Sequence, residues 1–454
     1  MVIARQAGSG KLTAVEIHEH DILDVEPEAE PPGSRPSLPA RGWRRLLQAL
    51  GPGLITGASD DDPSGIATYT MAGASLGLAT LWTAPLTFPL MFGVQFICAK
   101  VGMVSGMGLA SVLRRHYSRK VLMTAVVGLL VANTINAGAD IGAIAAAINL
   151  FVPLPVYVLV IPVVCLILAL QIWGSYRLIV RTFKWLSLAL FAYIGAAILA
   201  QPDWMEVLKA TFVPPARLDR PYMLTLVAIL GTTISPYLFF WQASQEVEEE
   251  VSMGRYCLWQ RQGATVEELH DALWDTGVGM LFCNLVFYFV IISAAATLHR
   301  VGLTDIQTAS EAAQALEPLA GKAAKILFAI GLVGAGLLAV PVLTSTSGFA
   351  VAEAMGWRHG LNEKPGRAPA FYAIIVASTA AGLAFNFLGI NPLRALFGTA
   401  VINGLLAPPL LILLMQVSNN KQVMGEHVNG LFLNIVGWVA VLVMSFAAVG
   451  LFFS

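Results

Sequence analysis

The chain has 454 residues, of which 57% are apolar and only 12% charged, with a formal net charge of −1. A soluble globular protein carries roughly 25% charged and about 45–50% apolar residues, so this chain has too little polar surface to wet a globule of its size; a mean hydropathy of +0.71 agrees. These figures exclude a soluble enzyme, and the near-neutral charge excludes a nucleic-acid partner, which requires a basic face.

In chain order, residues 1–40 are acidic and Pro-bearing and are expected to form a disordered cytosolic tail. No apolar core of a signal peptide precedes Arg35. Residues 41–454 read as a single transmembrane domain of about eleven helices, at about 46–78, 80–103, 121–150, 154–174, 178–200, 222–244, 275–298, 323–355, 369–389, 392–416 and 429–453. The runs are too long and unbroken for barrel strands, which alternate over ~10 residues. With the N-terminus in the cytosol, 17 Lys and Arg from residue 41 onward fall on the inner side and 7 on the outer. The excess of inner positive charge sets this orientation, and an odd number of spans leaves the C-terminus outside. The 246–274 connection, rich in Glu, is expected to be partly helical.

Two spans are interrupted. The first reads GPGLITGASDDDPSGIATYTMAG, with Asp60, Asp61 and Asp62 followed by Pro63 and Gly65. One charge at the bilayer centre costs about 2.5–3.5 kcal/mol on insertion scales, so three carboxylates cannot face lipid. Pro63 removes an N–H and clashes with the preceding turn, which predicts a helix unwound at mid-membrane over Asp62–Gly65. The sixth span reads LVAILGTTISPYLFFWQASQ, and predicts a second break over Thr232–Pro236. Five spans separate the two breaks, as expected of inverted repeats: repeat one over about 46–200, repeat two over about 222–416, and an extra helix over about 429–453. Interrupted helices at matching places in two halves point to a transporter's substrate site.

Carboxylate, hydroxyl and carbonyl oxygens are hard ligands suited to Mg²⁺, Ca²⁺ and Mn²⁺. No His lies well inside any span, and no Met or Cys falls beside either break in the sequence. The only formal charges at the breaks are negative, which favours a cation over an anion. The four cysteines, Cys98, Cys165, Cys257 and Cys283, form no CxxC pair and suggest neither a zinc site nor a disulfide framework.

At these residues the sequence resembles the natural-resistance-associated macrophage protein (NRAMP) family of divalent metal transporters, over essentially all of 44–453. The resemblance implies an all-α, LeuT-type fold of ten spans in two inverted repeats, here with an eleventh helix. The family's first-span motif is Asp-Pro-Gly-Asn, and Asp62-Pro63-Ser64-Gly65 stands in its place. The resemblance makes Asp62 the metal-binding carboxylate and puts Gly65 where the family has a ligand Asn. The sixth-span motif, Ala-Thr-Val-Met-Pro-His, is here Thr232-Thr233-Ile234-Ser235-Pro236-Tyr237. Thr232 thus matches the residue offering its backbone carbonyl, and Ser235 replaces a thioether Met. Tyr237 and Gln242 replace two His residues on the same half-helix. Asp140 matches an acidic proton-path residue whose usual Asp partner is Ala137 here. Asn403 stands near an amide ligand of the tenth span.

Metal contacts are therefore expected from Asp62, Gly65, Thr232, Ser235 and the carbonyl region of Ser59, with Asp61, Asp140, Tyr237, Gln242 and Asn403 in the cavity or coupling path. Loss of the thioether erases a preference for softer ions. The pattern looks like the family's divergent magnesium-transporting branch, and an Mn²⁺ carrier with a rebuilt site fits equally. The imidazole losses leave little to couple protons.

Other polar positions carry less. Glu246, Glu248, Glu249 and Glu250 read as a solvated helix end before a cation-attracting mouth. Asp275 opens the seventh span, and Asn284 lines the cavity or bonds a neighbouring helix. Asn133 and Asn136, near Asp140, suggest a polar seam. The Gly-rich GLVGAGLLAV of span eight suits close helix packing.

The expected function is secondary transport of a divalent cation, Mg²⁺ or Mn²⁺, inward across the plasma membrane by alternating access. The competing class is an organic-solute carrier, such as an amino-acid transporter of the same fold, but Asp60–Asp62 would repel a substrate carboxylate. No nucleophile–base pair, HExxH or phosphate loop within the spans supports an enzyme. The expected partners are the metal ion as substrate and the bilayer, with no cofactor and no evident protein partner.

Overall fold

The computed structural model describes residues 2–6, 12–16, 51–173, 188–217 and 219–453. Most of the tail expected over 1–40 lies outside these residues. Within it, Val2–Gln6 (β1) and Leu12–Glu16 (β2) pair antiparallel, Val2 opposite Glu16 and Gln6 opposite Leu12. That departs from the disordered tail at ten residues, where Val, Ile and Thr supply strand propensity.

The membrane body is helical. Its elements are α1 (Pro52–Asp60), α2 (Pro63–Leu76), α3 (Thr83–Ser105), α4 (Leu109–His116), α5 (Arg119–Asn149), α6 (Val156–Trp173) and α7 (Ala192–Leu199). They continue as α8 (Arg220–Thr233), α9 (Pro236–Ser252), α10 (Val266–Thr297), α11 (Ala324–Met355), α12 (Pro369–Phe385), α13 (Pro392–Ser418) and α14 (Leu431–Phe453). Among the described residues, nine helices are long and apolar enough to cross a membrane, with Arg220–Ser252 taken as one. The first expected span is split into α1 and α2, of 9 and 14 residues, each too short to cross alone. The span expected at 178–200 is described only from Leu188, as one 3₁₀ turn followed by α7.

Proline explains where helices stop and where they merely bend. Pro89, Pro162, Pro341 and the Pro408–Pro409 pair lie inside continuous helices. Pro63 and Pro236 instead occupy the first position of a new helix, where the missing N–H is not needed. The breaks are therefore narrower than the sequence suggests. Only Asp61–Asp62 and Ile234–Ser235 leave the helical ladder, whereas Ser64, Gly65, Thr232 and Thr233 remain helical. Asp62 adds the N-cap of α2, its carboxylate accepting from the Gly65 N–H at 2.7 Å.

The close pair of spans near 389–392 is resolved by Gly389, whose φ of 71° few other residues adopt, and by Asn391, which caps α13. The 246–274 connection shrinks to 253–265, because α9 runs to Ser252 and α10 begins at Val266. It holds one short helix, Leu258–Arg261.

Two glycine contacts place the breaks. A Cβ at Gly57 of α1 would collide with the Gly279 backbone of α10, and one at Gly231 of α8 would collide with Ala400 and Gly404 of α13. Each broken span thus lies backbone-to-backbone on an unbroken helix, as small residues permit within a membrane.

Candidate functional site

Asp62 is 1% exposed, and every one of its recorded partners is polar. Its Oδ1 accepts from the Ser64 hydroxyl at 2.6 Å and from the Gly65 N–H, and its Oδ2 from Asn136 Nδ2 at 3.2 Å. Ser64 Oγ lies 3.4 Å from Thr232 Oγ1 on α8. A Cβ at Gly65 would stand 3.3 Å from the same Thr232 oxygen, so the absence of a side chain there keeps the two half-helices together. The Tyr237 hydroxyl of α9 donates to the Ser59 carbonyl of α1 at 3.0 Å. The two breaks therefore face each other through Asp62, Ser64, Gly65 and Thr232 on one side and Ser59 and Tyr237 on the other.

Ser235 is oriented differently from its expected role. Its hydroxyl donates back to the carbonyls of Gly231 at 3.0 Å and Thr232 at 2.8 Å. The Thr232 carbonyl, the expected metal contact, is thereby occupied by Ser235, and the Ser59 carbonyl by Tyr237. Both oxygens retain a second lone pair.

Asp140 is fully buried on α5, one turn beyond Asn136. It is near enough to Asp62 and the Ser64 backbone to interact with both, while neither of its oxygens attains hydrogen-bond geometry. Gln242 lies apart from the break: it accepts from Thr56 Oγ1 and donates to Glu246 at 2.8 Å, further along α9. Asn403 sits beside Gly404, where α13 crosses α8 closely, and its Nδ2 has no hydrogen-bond partner. No hydrogen bond joins Asn403 to Asp62 or Thr232 among the described residues.

Sequence reasoning missed several contributors. Asn136 was part of a polar seam, and its spacing of four from Asp140 places both on one helix face. Cys283 on α10 donates its thiol to Asp60 Oδ2 at 2.8 Å, so a sulfur does stand beside the first break in space. No local pattern announces it, because it comes from a helix more than 200 residues away in the chain. Asp275 accepts from the Gly51, Gly53 and Leu54 N–H groups at 2.9, 2.6 and 3.1 Å and so holds the start of α1. Asn284 turns to α3, donating to the Ala84 carbonyl at 3.1 Å and to Thr87 at 3.3 Å, which selects the helix-bonding role. Glu246 and Glu250 are 7% and 3% exposed; they are buried against neighbouring helices, not solvated. Among the described residues, no three His, Cys, Asp or Glu side chains are arranged as they stand to enclose a metal ion.

The profile of the family described as "Natural resistance-associated macrophage protein-like" matches residues 53–454. The chain belongs to this family. As an NRAMP protein it is 28% identical over 417 residues to a protein of Klebsiella pneumoniae named "Divalent metal cation transporter MntH", covering 89% of this chain and 94% of that one. A MntH of Deinococcus radiodurans is also 28% identical, over 415 residues and 89% of each chain. Among solved structures, the manganese transporter of Eremococcus coleocola in complex with an aromatic bis-isothiourea substituted compound superposes with a TM-score of 0.72. It is 19% identical, with 91% of this chain and 88% of that one covered. Mhp1, a nucleobase-cation-symport-1 family transporter, superposes at 0.54 and 11% identity, over 89% and 92%. These likenesses establish the expected all-helical LeuT-type fold for this NRAMP chain, and the family is not one of enzymes.

Proposed function

We propose that the chain carries divalent metal cations across the membrane by alternating access, the ion lying between the two breaks with Asp62 as its charged ligand. The observation that carries this reading is the buried Asp62 carboxylate, held by Ser64, Gly65 and Asn136, with Ser64 in turn 3.4 Å from Thr232 of the second broken span. A carboxylate kept in a bilayer with no Lys, Arg or His bonded to it is suited to a cation. The names of the relatives in Klebsiella pneumoniae and Deinococcus radiodurans support a divalent metal cargo.

The donors at this face are oxygens: Asp62, the hydroxyls of Ser64 and Ser235, and the carbonyls of Ser59 and Thr232. Gly65 contributes space and its N–H to Asp62, not a ligand atom. This set suits Mg²⁺ and Mn²⁺, with retained water completing the shell, and supports the likeness to the magnesium-transporting branch. The name of the Eremococcus coleocola protein favours Mn²⁺. The Lys and Arg distribution supports a cytosolic N-terminus and an external C-terminus, and the likeness to bacterial MntH proteins supports a plasma-membrane location. An organic-solute carrier is disfavoured, since three carboxylates at the first break would repel an amino acid's own.

Ion uptake by the purified protein in liposomes, over Mg²⁺, Mn²⁺, Ca²⁺ and Fe²⁺, tests the proposal. Uptake of at least one ion, competed by the others in a reproducible order, is the expected result, and no uptake of any divalent ion would refute it.

A further inference from the structure

The first break has two faces. Asp62 turns toward α5, whereas Asp60 and Asp61 engage Cys283 of α10. Cys283 donates to Asp60 Oδ2 at 2.8 Å and is close enough to interact with Asp61 as well. Asp60, Asp61 and Cys283 are all fully buried. Among the described residues, Asp60 Oδ1 and both oxygens of Asp61 have no hydrogen-bond partner. Among the described residues, no Lys, Arg or His is bonded to either carboxylate.

A second observation converges on the same place. The Tyr69 hydroxyl of α2 is completely buried, has no hydrogen-bond partner among the described residues, and lies within electrostatic reach of Cys283, Asp60 and Asp61. Its ring packs on Phe287, one turn beyond Cys283 on α10, with centroids 4.5 Å apart. Buried polar atoms are normally bonded, and a buried carboxylate without a partner is strongly disfavoured unless a cation meets it. Three unbonded carboxylate oxygens and an unbonded phenol around one thiol make a donor set without its acceptor.

We propose that Asp60, Asp61 and Cys283, with Tyr69 beside them, form a second divalent-cation position on the α10 face of the break, which takes thiophilic ions such as Cd²⁺ ahead of Mg²⁺. The proposal deepens the transport reading and rests on it for the presence of an ion in the cavity. Cys283 binds as its thiolate and passes its proton to Asp60, which already accepts its hydrogen bond, so the thiolate and the Asp61 carboxylate balance a divalent charge, and the sulfur supplies the softness that the all-oxygen Asp62 face lacks. The donors do not enclose an ion as they stand, and Asp61, which no geometric hydrogen bond restrains, closes the set by turning toward the thiol. The two faces then prefer different ions, and a passing ion is sorted by which face holds it.

The test is equilibrium binding of radiolabelled Cd²⁺ to the purified full chain in detergent, with the ultraviolet thiolate–Cd²⁺ charge-transfer band as a direct report of sulfur ligation. The parent carries Cys98→Ser, Cys165→Ser and Cys257→Ser, so that any band belongs to Cys283, and the unaltered chain is measured in parallel. The expected result is two ions per chain with the band present. Cys283→Ser should remove the band and one ion, Asp61→Asn should weaken that ion at least tenfold, and Asp62→Ala should keep the band and lose the other ion. One ion per chain without a band, lost in Asp62→Ala and unaffected by Cys283→Ser, overturns the second position while leaving the transport reading intact. Absence of divalent uptake into liposomes would instead overturn the transport reading itself. Monodisperse elution and an unchanged helical circular dichroism spectrum qualify each variant. If Cys283→Ser fails to fold, absence of the band in the parent still overturns the proposal.

Discussion

The Tyr237 hydroxyl donates to the Ser59 carbonyl across 3.0 Å, joining the second half of one broken span to the first half of the other. Both partners are buried, and Ser59 lies three residues before Asp62, on the α1 side of the break. Tyr237→Phe removes the donor and leaves the carbonyl unpaired at a cost of about 1–3 kcal/mol. The expected outcome is a lower thermal midpoint and uptake reduced severalfold, with metal affinity changed less than rate, because no Asp62 contact is lost. Parallel binding and uptake measurements check this.

Asp275 accepts three hydrogen bonds from the N-terminal end of α1 across the bundle. A carboxylate at a helix N-terminus is favoured by both the free N–H groups and the dipole. Asp275→Ala should free residues 51–54, and amide hydrogen exchange should rise there while α5 and α11 stay protected. Unchanged exchange at 51–54 would show that the glycine contacts on α10 suffice to seat α1.

Much of the architecture was legible in the sequence, and the reasons are visible at particular residues. Long apolar runs marked the spans, and Asp-Asp-Asp-Pro and Thr-Thr-Ile-Ser-Pro marked the two breaks, because carboxylates and proline are costly inside a membrane helix. The exact unwound residues were not legible. Whether Pro63 and Pro236 disrupt or initiate a helix depends on what caps the preceding turn, and Asp62 does so for α2. Cys283 and Asp275 were hidden because their partners lie on α1, more than 200 residues away, and only packing brings them together. Gln242 was placed by family likeness near the cavity, yet it bonds Thr56 of α1 and Glu246 of α9.

Ser235→Met should shift selectivity toward softer ions. The present hydroxyl is held on the carbonyls of Gly231 and Thr232, and a thioether would release both carbonyls while offering sulfur to the ion. Sulfur suits Cd²⁺ and Mn²⁺ and disturbs the oxygen shell of Mg²⁺. A tenfold change in the Cd²⁺-to-Mg²⁺ ratio corresponds to about 1.4 kcal/mol, within the worth of one ligand. Competition uptake on wild type and variant measures it, and an unmoved ratio would remove position 235 from the ligand set.

Proton movement should be weakly linked to metal uptake or absent. Tyr237 and Gln242 stand where the family carries imidazoles, the side chains that titrate most readily near neutral pH. Asp140, buried near Asp62, is the remaining relay candidate. A pH-sensitive dye inside liposomes should show no acidification matched to metal entry. Acidification that follows uptake and vanishes in Asp140→Asn would contradict this.

The central claim is that Asp62 is the charged ligand of a transported divalent ion. Its most direct test is uptake of Mn²⁺ and Mg²⁺ into liposomes by Asp62→Ala, with Asp60→Ala and Asp61→Ala measured beside it. The account predicts that Asp62→Ala folds, elutes as wild type and transports neither ion, while the other two variants retain part of their uptake. Near-normal uptake by Asp62→Ala, with Asp60 or Asp61 as the sensitive position, would contradict it.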